Sequence, residues 1–575
     1  MNNDTPITNS LKSPWKDQYG DVPAHIDYPN CTMFELIEKA INEVPNQTVL
    51  DFFGTQTCGK DLLHQIHTAA KALRSIGVGE NDRVTICLPN IPQAVICVYA
   101  VNLIGAVCNM IHPLSSVGEI EFFLKDANSQ VVITLDQFYS KFEEVRAHTP
   151  IQHLIITKIT DALNLRMKIG YRLTQKQYPI PKSANILKWS DFIKGARHFQ
   201  GEYFCKHHAS DPAVILYSGG TTGTTKGILL SNMNLNALAL QTAAMSNKDI
   251  RGKTMLSILP VFHGFGLGVC VHTILSAGGI CILIPRFNVK SYAKLLKEKR
   301  PNFIAGVPTL FEALLRSDEM NDADLSCLMD VYSGGDSLSV ELKNNFDKFL
   351  AEHHATIQIR EGYGTTECVT ASCLTPYHTH KEGSIGIPFP DTYYKIVTPN
   401  TNVEVPYGEE GEISISGPTV MMEYLNHPEE TANTLRKHED GHVWLHTGDL
   451  GIMDENGFIY FRQRIKRMIV SSGYSIYPSQ LENIIDAHPS VVMSCVIGVP
   501  DPYRMQKVKA FVVLQKDATP TEQIKNELME YCKKNIAKYA LPYDIEIRES
   551  LPQTLVGKVA YRILEDEELR KMNIQ

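Results

Sequence analysis

With 575 residues, 43% of them hydrophobic and 21% charged, the chain has a soluble globular composition and exceeds what one core organises, so two or more domains are expected. A net charge of −8 argues against general nucleic-acid binding and points to small-molecule partners. The 13 cysteines show no paired metal-ligand spacing and read as free thiols of a reducing, cytoplasmic compartment.

The opening "MNNDTPITNSLKSPWKDQYG" has no apolar run behind a basic start and does not read as a secretory signal. Downstream, "RVTICL", "VVITL", "AVILYS", "ICILIP" and "FIAGVP" predict strands, and they alternate with helical patterns such as "LHQIHTAAKALRSIG" and "VKSYAKLLKEKR". That alternation predicts an α/β fold. Two uncharged stretches, Ile91 to Ile111 and Gly264 to Pro285, reach membrane-spanning length, but Asn102 interrupts one and Gly278-Gly279 the other. Each reads as a buried helix followed by a buried strand.

From Ala162 to Ser190 there are six basic residues (Arg166, Lys168, Arg172, Lys176, Lys182 and Lys188) and no acidic one, with Leu165, Ile169 and Leu173 at helical spacing. Two readings stand: a basic amphipathic helix resting peripherally on an anionic membrane surface, or a solvated basic loop. After about residue 390, "GEEGEISISG" and "DENGFIYFRQR" suit hairpins of a smaller sheet. Beyond Lys466, "LENIIDAHPSVVMSCVIGVPD", "KAFVVLQ" and "EQIKNELMEYCKKNIA" read as helix, strand, strand and helix, which fits a C-terminal domain of about 110 residues.

"YSGGTTGTTKG", Tyr217 to Gly227, follows the strand-like run Ala213 to Leu216. Its glycines let successive N–H groups turn inward as an anion nest, its hydroxyls add donors and its lysine adds charge, so it suits a phosphate; taken alone, a flexible turn is the competing reading. A P-loop would need glycine before the lysine and Ser or Thr after it, whereas Thr225 and Gly227 flank Lys226. "REGYGTTEC", Arg360 to Cys368, sets the hydroxyls of Thr365 and Thr366 beside the Glu367 carboxylate, which suits phosphate oxygens and Mg2+. "WLHTGDLG" presents Asp449, able to accept from both hydroxyls of a ribose. "QRIKRMIVSSGYSIYP" and "LPQTLVGKVAYR" then follow.

In this order the motifs, from Tyr217 to Lys558, resemble those of the adenylate-forming superfamily of acyl-CoA synthetases, adenylation domains and luciferases. The resemblance implies a large N-terminal AMP-binding domain (1–465) of layered α/β subdomains plus a small β region, and a smaller, mobile α+β C-terminal domain (466–575). Ser218, Gly219, Gly220, Thr221, Thr222, Gly223 and Lys226 resemble the loop that grips pyrophosphate, with Ser218-Gly219 where Thr-Ser is common and Thr225 where proline is common. "YSGGDSLS" resembles the adenine and acyl-carboxyl segment, which makes Gly335, Asp336 and Ser337 adenine-site candidates and turns Gly334 to the acyl pocket. His263 in "LPVFHGFGL" resembles the residue between acyl pocket and ATP, with Gly264 beside it. Tyr363, Gly364, Thr365, Thr366 and Glu367 fall in the nucleotide, phosphate and Mg2+ segment, and Asp449 and Arg464 match ribose contacts.

The implied reaction is attack of a carboxylate on the α-phosphorus of ATP to give an acyl-adenylate, with Lys558 matching the lysine between the two anions. Rotation of the C-terminal domain about Lys466 then implies transfer to CoA, with Gly473 leaving room for the pantetheine arm. The implied cofactors and co-substrates are ATP, Mg2+ and CoA. Gly264, Gly266 and Gly268 suggest a long apolar slot. With the basic insert and "HIDYPNCTMFELIEKA", which resemble bacterial long-chain fatty acyl-CoA synthetases, this favours a medium- to long-chain fatty acid. An acyl-AMP ligase that loads a carrier protein, an aryl or other acid CoA ligase, a luciferase-like oxidase and a non-catalytic nucleotide-binding relative remain as alternatives. No added block of the kind carried by fatty acyl-AMP ligases stands between Glu367 and Gly383.

Overall fold

A computed structural model describes residues 11–176, 178–181, 185–217, 225–472, 474–516, 518–554 and 557–573. The predicted strands build two large sheets that are parallel in their centres. One has eight strands among the described residues, running from Glu423–Tyr424 through Gly227–Ser231, Pro212–Tyr217, Val107–Met110, Arg83–Cys87, Val131–Leu135 and His153–Thr157 to Ile186–Lys188. The other has nine, running from Ile387–Pro388 through Cys373–Leu374, Ile359–Tyr363, Asp330–Ser333, Phe303–Gly306, Thr254–Ser257, Ile280–Leu283 and Thr48–Phe52 to Thr55–Cys58. The central strands of both sheets are largely buried, as strands covered on both faces must be, and those of the eight-stranded sheet are Val- and Ile-rich.

Both uncharged stretches fold as a helix followed by a strand. Pro92–Leu103 is buried from Pro92 to Asn102 and leads into Val107–Met110. In the second stretch the helix is wider than expected: Phe265–His272 has the i→i+5 pattern, continues as Thr273–Ser276 and leads into Ile280–Leu283. No helix among the described residues is long and apolar enough to cross a membrane. The helix Asn232–Ser246 is buried nearly all round, and its side chains Asn232, Asn234 and Asn236 hydrogen-bond across the interior. Asn236 Oδ1 lies 2.9 Å from His272 Nε2, and His272 Nδ1 lies 3.1 Å from the Tyr99 hydroxyl. Burial pushes the His272 imidazole down to about 3, so it is a neutral core histidine.

The predicted hairpins form a five-stranded sheet containing Tyr393–Val397, Glu410–Ser416, Val443–Met453, Leu435–Lys437 and Ile459–Arg464. The C-terminal elements also appear as read: the helix Pro478–Asp486, the strands Val491–Asp501 and Met505–Leu514, and the helix Glu522–Asn535. Their five-stranded sheet is completed by Ile469–Ser471, Tyr474–Ile476 and Asp544–Arg548. A continuous core joins buried residues from Trp15 to Ile459, while separate cores begin at Ile469 and Cys495. Lys466, exposed in the single turn Ile465–Arg467, sits between them.

The basic insert does contain a helix, Leu165–Thr174, capped by the Asn164 side chain on the Met167 N–H. None of its residues is buried.

Candidate active site

In an open α/β sheet, ligands bind beyond the carboxyl ends of the strands. The parallel pair Asp330–Ser333 and Ile359–Tyr363 delivers Gly334-Gly335-Asp336 and Gly364-Thr365-Thr366-Glu367 to one such edge. Gly335 has φ +85°, a conformation side chains resist, and a Cβ there would stand 3.4 Å from Lys558 Cε. After Glu367 the chain reverses through Val369, whose φ is +66° and ψ −55°; the Thr370 N–H closes this strained γ-turn on the Cys368 carbonyl at 2.8 Å. Two glycines make room for it. A Cβ on Gly264 would come within 1.7 Å of the Val369 carbonyl oxygen, and one on Gly364 within 2.2 Å of the Thr370 carbonyl oxygen.

Asp449 and Arg464 meet because they are paired residues of one antiparallel hairpin. Asp449 is 2% exposed; the Tyr363 hydroxyl donates to its Oδ2 at 2.6 Å, Arg464 Nε lies 3.4 Å from its Oδ1, and its own N–H donates to Thr447 Oγ1 at 3.1 Å. Burial raises its carboxyl above the usual range, against the pull of Arg464 and Tyr363. Glu367 Oε1 accepts from the Tyr424 hydroxyl at 2.7 Å. Tyr424 arrives on the short strand that pairs with Gly227–Ser231, and Lys226 Nζ lies 4.9 Å from its ring centre and 3.7 Å from Glu430 Oε1. Lys226 and Glu367 therefore flank one tyrosine.

Lys558 enters from the far end of the chain. Gly557 presents its carbonyl to Thr309 Oγ1 at 3.1 Å, and the Val559 N–H donates to Asp336 Oδ2 at 3.3 Å. Burial lowers the Lys558 ammonium, Arg464 lowers it further, and the carboxylates of Asp336, Asp449 and Glu367 oppose this. His263 Nδ1 accepts from the Phe265 N–H at 3.2 Å; burial and the charge of Lys558 push its imidazole down to about 3, so it is neutral. Asp336 also accepts from the Ser337 N–H at 3.0 Å.

Beside this cluster opens an apolar cleft of about 410 Å³, lined by Gly334 and Gly335 and, among others, by Phe265, Val269, Leu374 and Phe389. His263 and Gly264 are not among its lining residues; their neighbour Phe265 is. The expected slot left by three glycines differs from what is found. Gly264 abuts the Val369 carbonyl, a Cβ on Gly266 would meet the Pro260 carbonyl oxygen at 2.1 Å, and one on Gly268 would meet Leu238 at 2.5 Å. These glycines permit close packing of the wide helix, and the cleft lies elsewhere, over Gly334 and Gly362. Ser218, Gly219, Gly220, Thr221, Thr222, Gly223 and Gly473 lie outside the described residues.

Sequence reasoning missed Tyr424, Thr309 and Tyr332. Tyr424 is 57 residues from Glu367, and Thr309 is 248 from Gly557. No local pattern marks either pair, because each joins separate parts of the fold: Tyr424 and the strand before Glu367 belong to different sheets, and Thr309 lies at the start of a helix while Gly557 lies near the C-terminus.

The chain belongs to the AMP-binding enzyme family: the sequence model of that family matches residues 37–425, and that of the AMP-binding enzyme C-terminal domain matches 480–558. It is 35% identical over 574 residues to a long-chain-fatty-acid–CoA ligase of Bacillus subtilis strain 168, covering 98% of this chain and 100% of that one. It is 31% identical over 582 residues to the enzyme of the same name from Salmonella typhimurium, with 98% and 100% covered. Among solved structures, an ATP-bound RpMatB-BxBclM chimera superposes with a TM-score of 0.81 at 25% identity, over 94% of this chain and 99% of that one. The anthranilate CoA ligase AuaEII in complex with anthranoyl-AMP shares the fold, with a TM-score of 0.82 at 22% identity over 96% and 99%.

Proposed function

We propose that this protein is an AMP-forming acid–thiol ligase that activates a medium- to long-chain fatty acid with ATP and transfers it to CoA. The observation that carries this reading is the placement of Lys558 against Gly335, where the nucleotide cluster of Asp449, Glu367 and Asp336 borders the apolar cleft. An alkyl chain in the cleft puts its carboxylate beside the α-phosphate, and the compact charge of Lys558 offsets the repulsion of the two anions. The carboxylate oxygen forms a bond to the α-phosphorus as the bond to the β-phosphate oxygen breaks, releasing pyrophosphate. Neutral His263 separates acid and nucleotide without adding charge. Asp449 accepts from the ribose hydroxyls and Arg464 braces it. Ser218 to Gly223, with Lys226, Thr365 and Thr366, hold the leaving phosphates.

Glu367 fits a magnesium ion: it is a half-buried carboxylate with Oε1 fixed by Tyr424, and no hydrogen bond of Oε2 occurs among the described residues. Magnesium bound there would neutralise charge on the departing pyrophosphate.

In the second half-reaction a CoA thiolate attacks the acyl carbonyl and AMP leaves. Lys558 is then no longer needed, and the domain from 466 to 575 turns about Lys466 to bring in Gly473 and the pantetheine arm. CoA rather than a carrier protein is favoured by the ligases named above.

The test is purified protein with ATP, Mg2+, CoA and a panel of alkyl and aryl acids, read as AMP release and thioester mass. Stoichiometric AMP and acyl-CoA from alkyl acids is expected. Adenylate without thioester would favour a carrier protein, and turnover of aryl acids alone would overturn the fatty-acid reading.

The helix Leu165–Thr174 supports a peripheral membrane role, on the inner face in a cytoplasmic setting. Leu165, Ile169 and Leu173 are 74%, 54% and 82% exposed and share a face at i, i+4 and i+8, with Arg166, Lys168, Arg172 and Lys176 around them. Vesicles containing anionic lipid should bind the protein, and neutralising those four residues should weaken binding by about 1 kcal/mol each. Absence of wild-type binding would leave a solvated helix.

A further inference from the structure

The face that the parallel strands Asp330–Ser333 and Ile359–Tyr363 turn to the cleft changes character along its length. Side chains share a face every second residue, so Asp330, Tyr332 and Gly334 fall in line on one strand and Arg360 and Gly362 on its neighbour, with Tyr332 paired to Arg360. Gly334 and Gly362 line the cleft and leave a groove between strand ends. One step further from Lys558, Tyr332 still lines the cleft, but Arg360 does not. Arg360 lines a second hollow of about 250 Å³ together with Met245, Asn247, Tyr377 and His378. Its guanidinium carbon is 6.0 Å from the Tyr332 ring centre and 5.6 Å from that of Tyr377. The two hollows are thus separated by the Tyr332 and Arg360 side chains.

This partition is held firmly. Asp330 Oδ2 receives the Tyr332 hydroxyl at 2.8 Å, Arg360 Nη1 at 2.9 Å and Ser246 Oγ at 3.1 Å. Arg360 also donates to the Met245 carbonyl at 2.9 Å and the Thr375 carbonyl at 2.8 Å. Asp330, Tyr332 and Arg360 are all buried. Breaking a buried ion pair leaves a charge that an alkyl chain cannot hydrogen-bond, so an incoming methyl group has nothing to offer in exchange. The phenol ring meets the apolar cleft while its hydroxyl is anchored behind, which stops the ring from swinging aside.

We infer that Tyr332, anchored by the buried Asp330–Arg360 pair, closes the far end of the acyl cleft and sets the longest acid accepted. Removing its ring lengthens the cleft as far as the Arg360 side chain. The inference rests on the reading of the cleft as an alkyl-acid site, which nothing in the plug itself requires.

The experiment measures kcat/KM over a homologous series of saturated acids from hexanoate to icosanoate for the wild type, Tyr332→Ala and Tyr332→Phe. One methylene refused by a pocket wall costs roughly ten- to two-hundredfold in kcat/KM. Tyr332→Ala is therefore expected to raise the ratio of kcat/KM for the first excluded acid over that for the longest accepted one by about tenfold or more. Tyr332→Phe keeps the ring and loses the anchor, so the limit should soften in the same direction by a smaller factor. If Tyr332→Ala does not fold, the nearly isosteric Phe variant decides: a raised ratio supports the plug, and an unchanged one overturns it. Folded Ala and Phe variants that both keep the wild-type limit overturn the plug alone. A wild type that turns over no alkyl acid overturns the acyl-site reading and the plug with it, so the two failures are told apart.

Discussion

Asp449 and Lys558 face the same site, yet they are held in different ways. Asp449 is fixed by Thr447 on its own strand, Arg464 on the paired strand and Tyr363 at the end of a strand of the nine-stranded sheet. Lys558 depends on the Gly557 carbonyl meeting Thr309 and the Val559 N–H meeting Asp336, at 3.1 and 3.3 Å. Other ties between these parts are similarly sparse, such as Tyr477 to Glu410 at 2.6 Å and Lys516 to the Arg316 carbonyl at 3.2 Å. A neutral hydrogen bond contributes about 0.5–1.5 kcal/mol net, so a few of them can be exchanged when pyrophosphate departs. On the function proposed above, this contrast fits the two half-reactions: the ribose is held throughout, whereas the lysine serves only while two anions approach.

The largest expected effect tests the removable half. Lys558→Ala should lower acid-dependent pyrophosphate exchange by about a hundredfold or more, the usual cost of deleting a charge aimed at a transition state. Thioester formation from supplied acyl-adenylate should fall only a few-fold, read by mass spectrometry. Exchange near the wild-type rate would remove Lys558 from the mechanism and erase the comparison.

Next is the pivot. Proline fixes φ near −65° and deletes an N–H, so Lys466→Pro should restrict the turn Ile465–Arg467 to one backbone conformation. With the arrangement described above retained, exchange persists while CoA-thioester formation drops by about tenfold or more, as expected when a conformational step is blocked. Lys466→Ala should lose far less. Equal loss of both half-reactions in a folded proline variant would mean that Lys466 is no hinge.

A smaller effect probes the fixed half. Tyr363→Phe removes the donor to buried Asp449 Oδ2, a loss of roughly 1–3 kcal/mol when a buried acceptor goes unpaired. The KM for ATP in exchange and the affinity for acyl-adenylate in thioester formation should weaken together, as both steps hold the ribose. A defect confined to one step would overturn the contrast with Lys558.

Much of this arrangement was legible because strands and motif order are local. The runs around Val84, Val132, Ile215, Ile282 and Ile304 announced themselves as buried strands, and "DENGFIYFRQR" announced a hairpin that sets Arg464 opposite Asp449. What escaped depends on distant partners. Nothing near Gly264 says that the strained Val369 carbonyl will occupy its missing side chain, so glycines that read as an open slot proved to be points of contact. Tyr332 and Arg360 read as the edges of two motifs, and only the register of their strands makes them a wall.

The last prediction concerns stability, not turnover, in the fixed half and depends on pH. Glu361 lies on the same strand as Tyr363; it is buried and accepts the Leu338 N–H at 3.1 Å, and burial pushes its carboxyl up to about 8. An unfolded glutamate titrates near 4.3, so the fold prefers the protonated form. Its stabilising contribution is complete below the unfolded value and is lost as pH rises through the folded one. Glu361→Gln keeps an acceptor for Leu338 and cannot ionise. The variant should match the wild type near pH 4 and gain on it by up to about 1.4 kcal/mol per pH unit towards pH 8, with no further gain above. The chain's 3 tryptophans, Trp15, Trp189 and Trp444, all precede Lys466, so their fluorescence during urea unfolding reports the large domain alone. A variant whose advantage is the same at acid and alkaline pH would show that Glu361 is ionised in the fold.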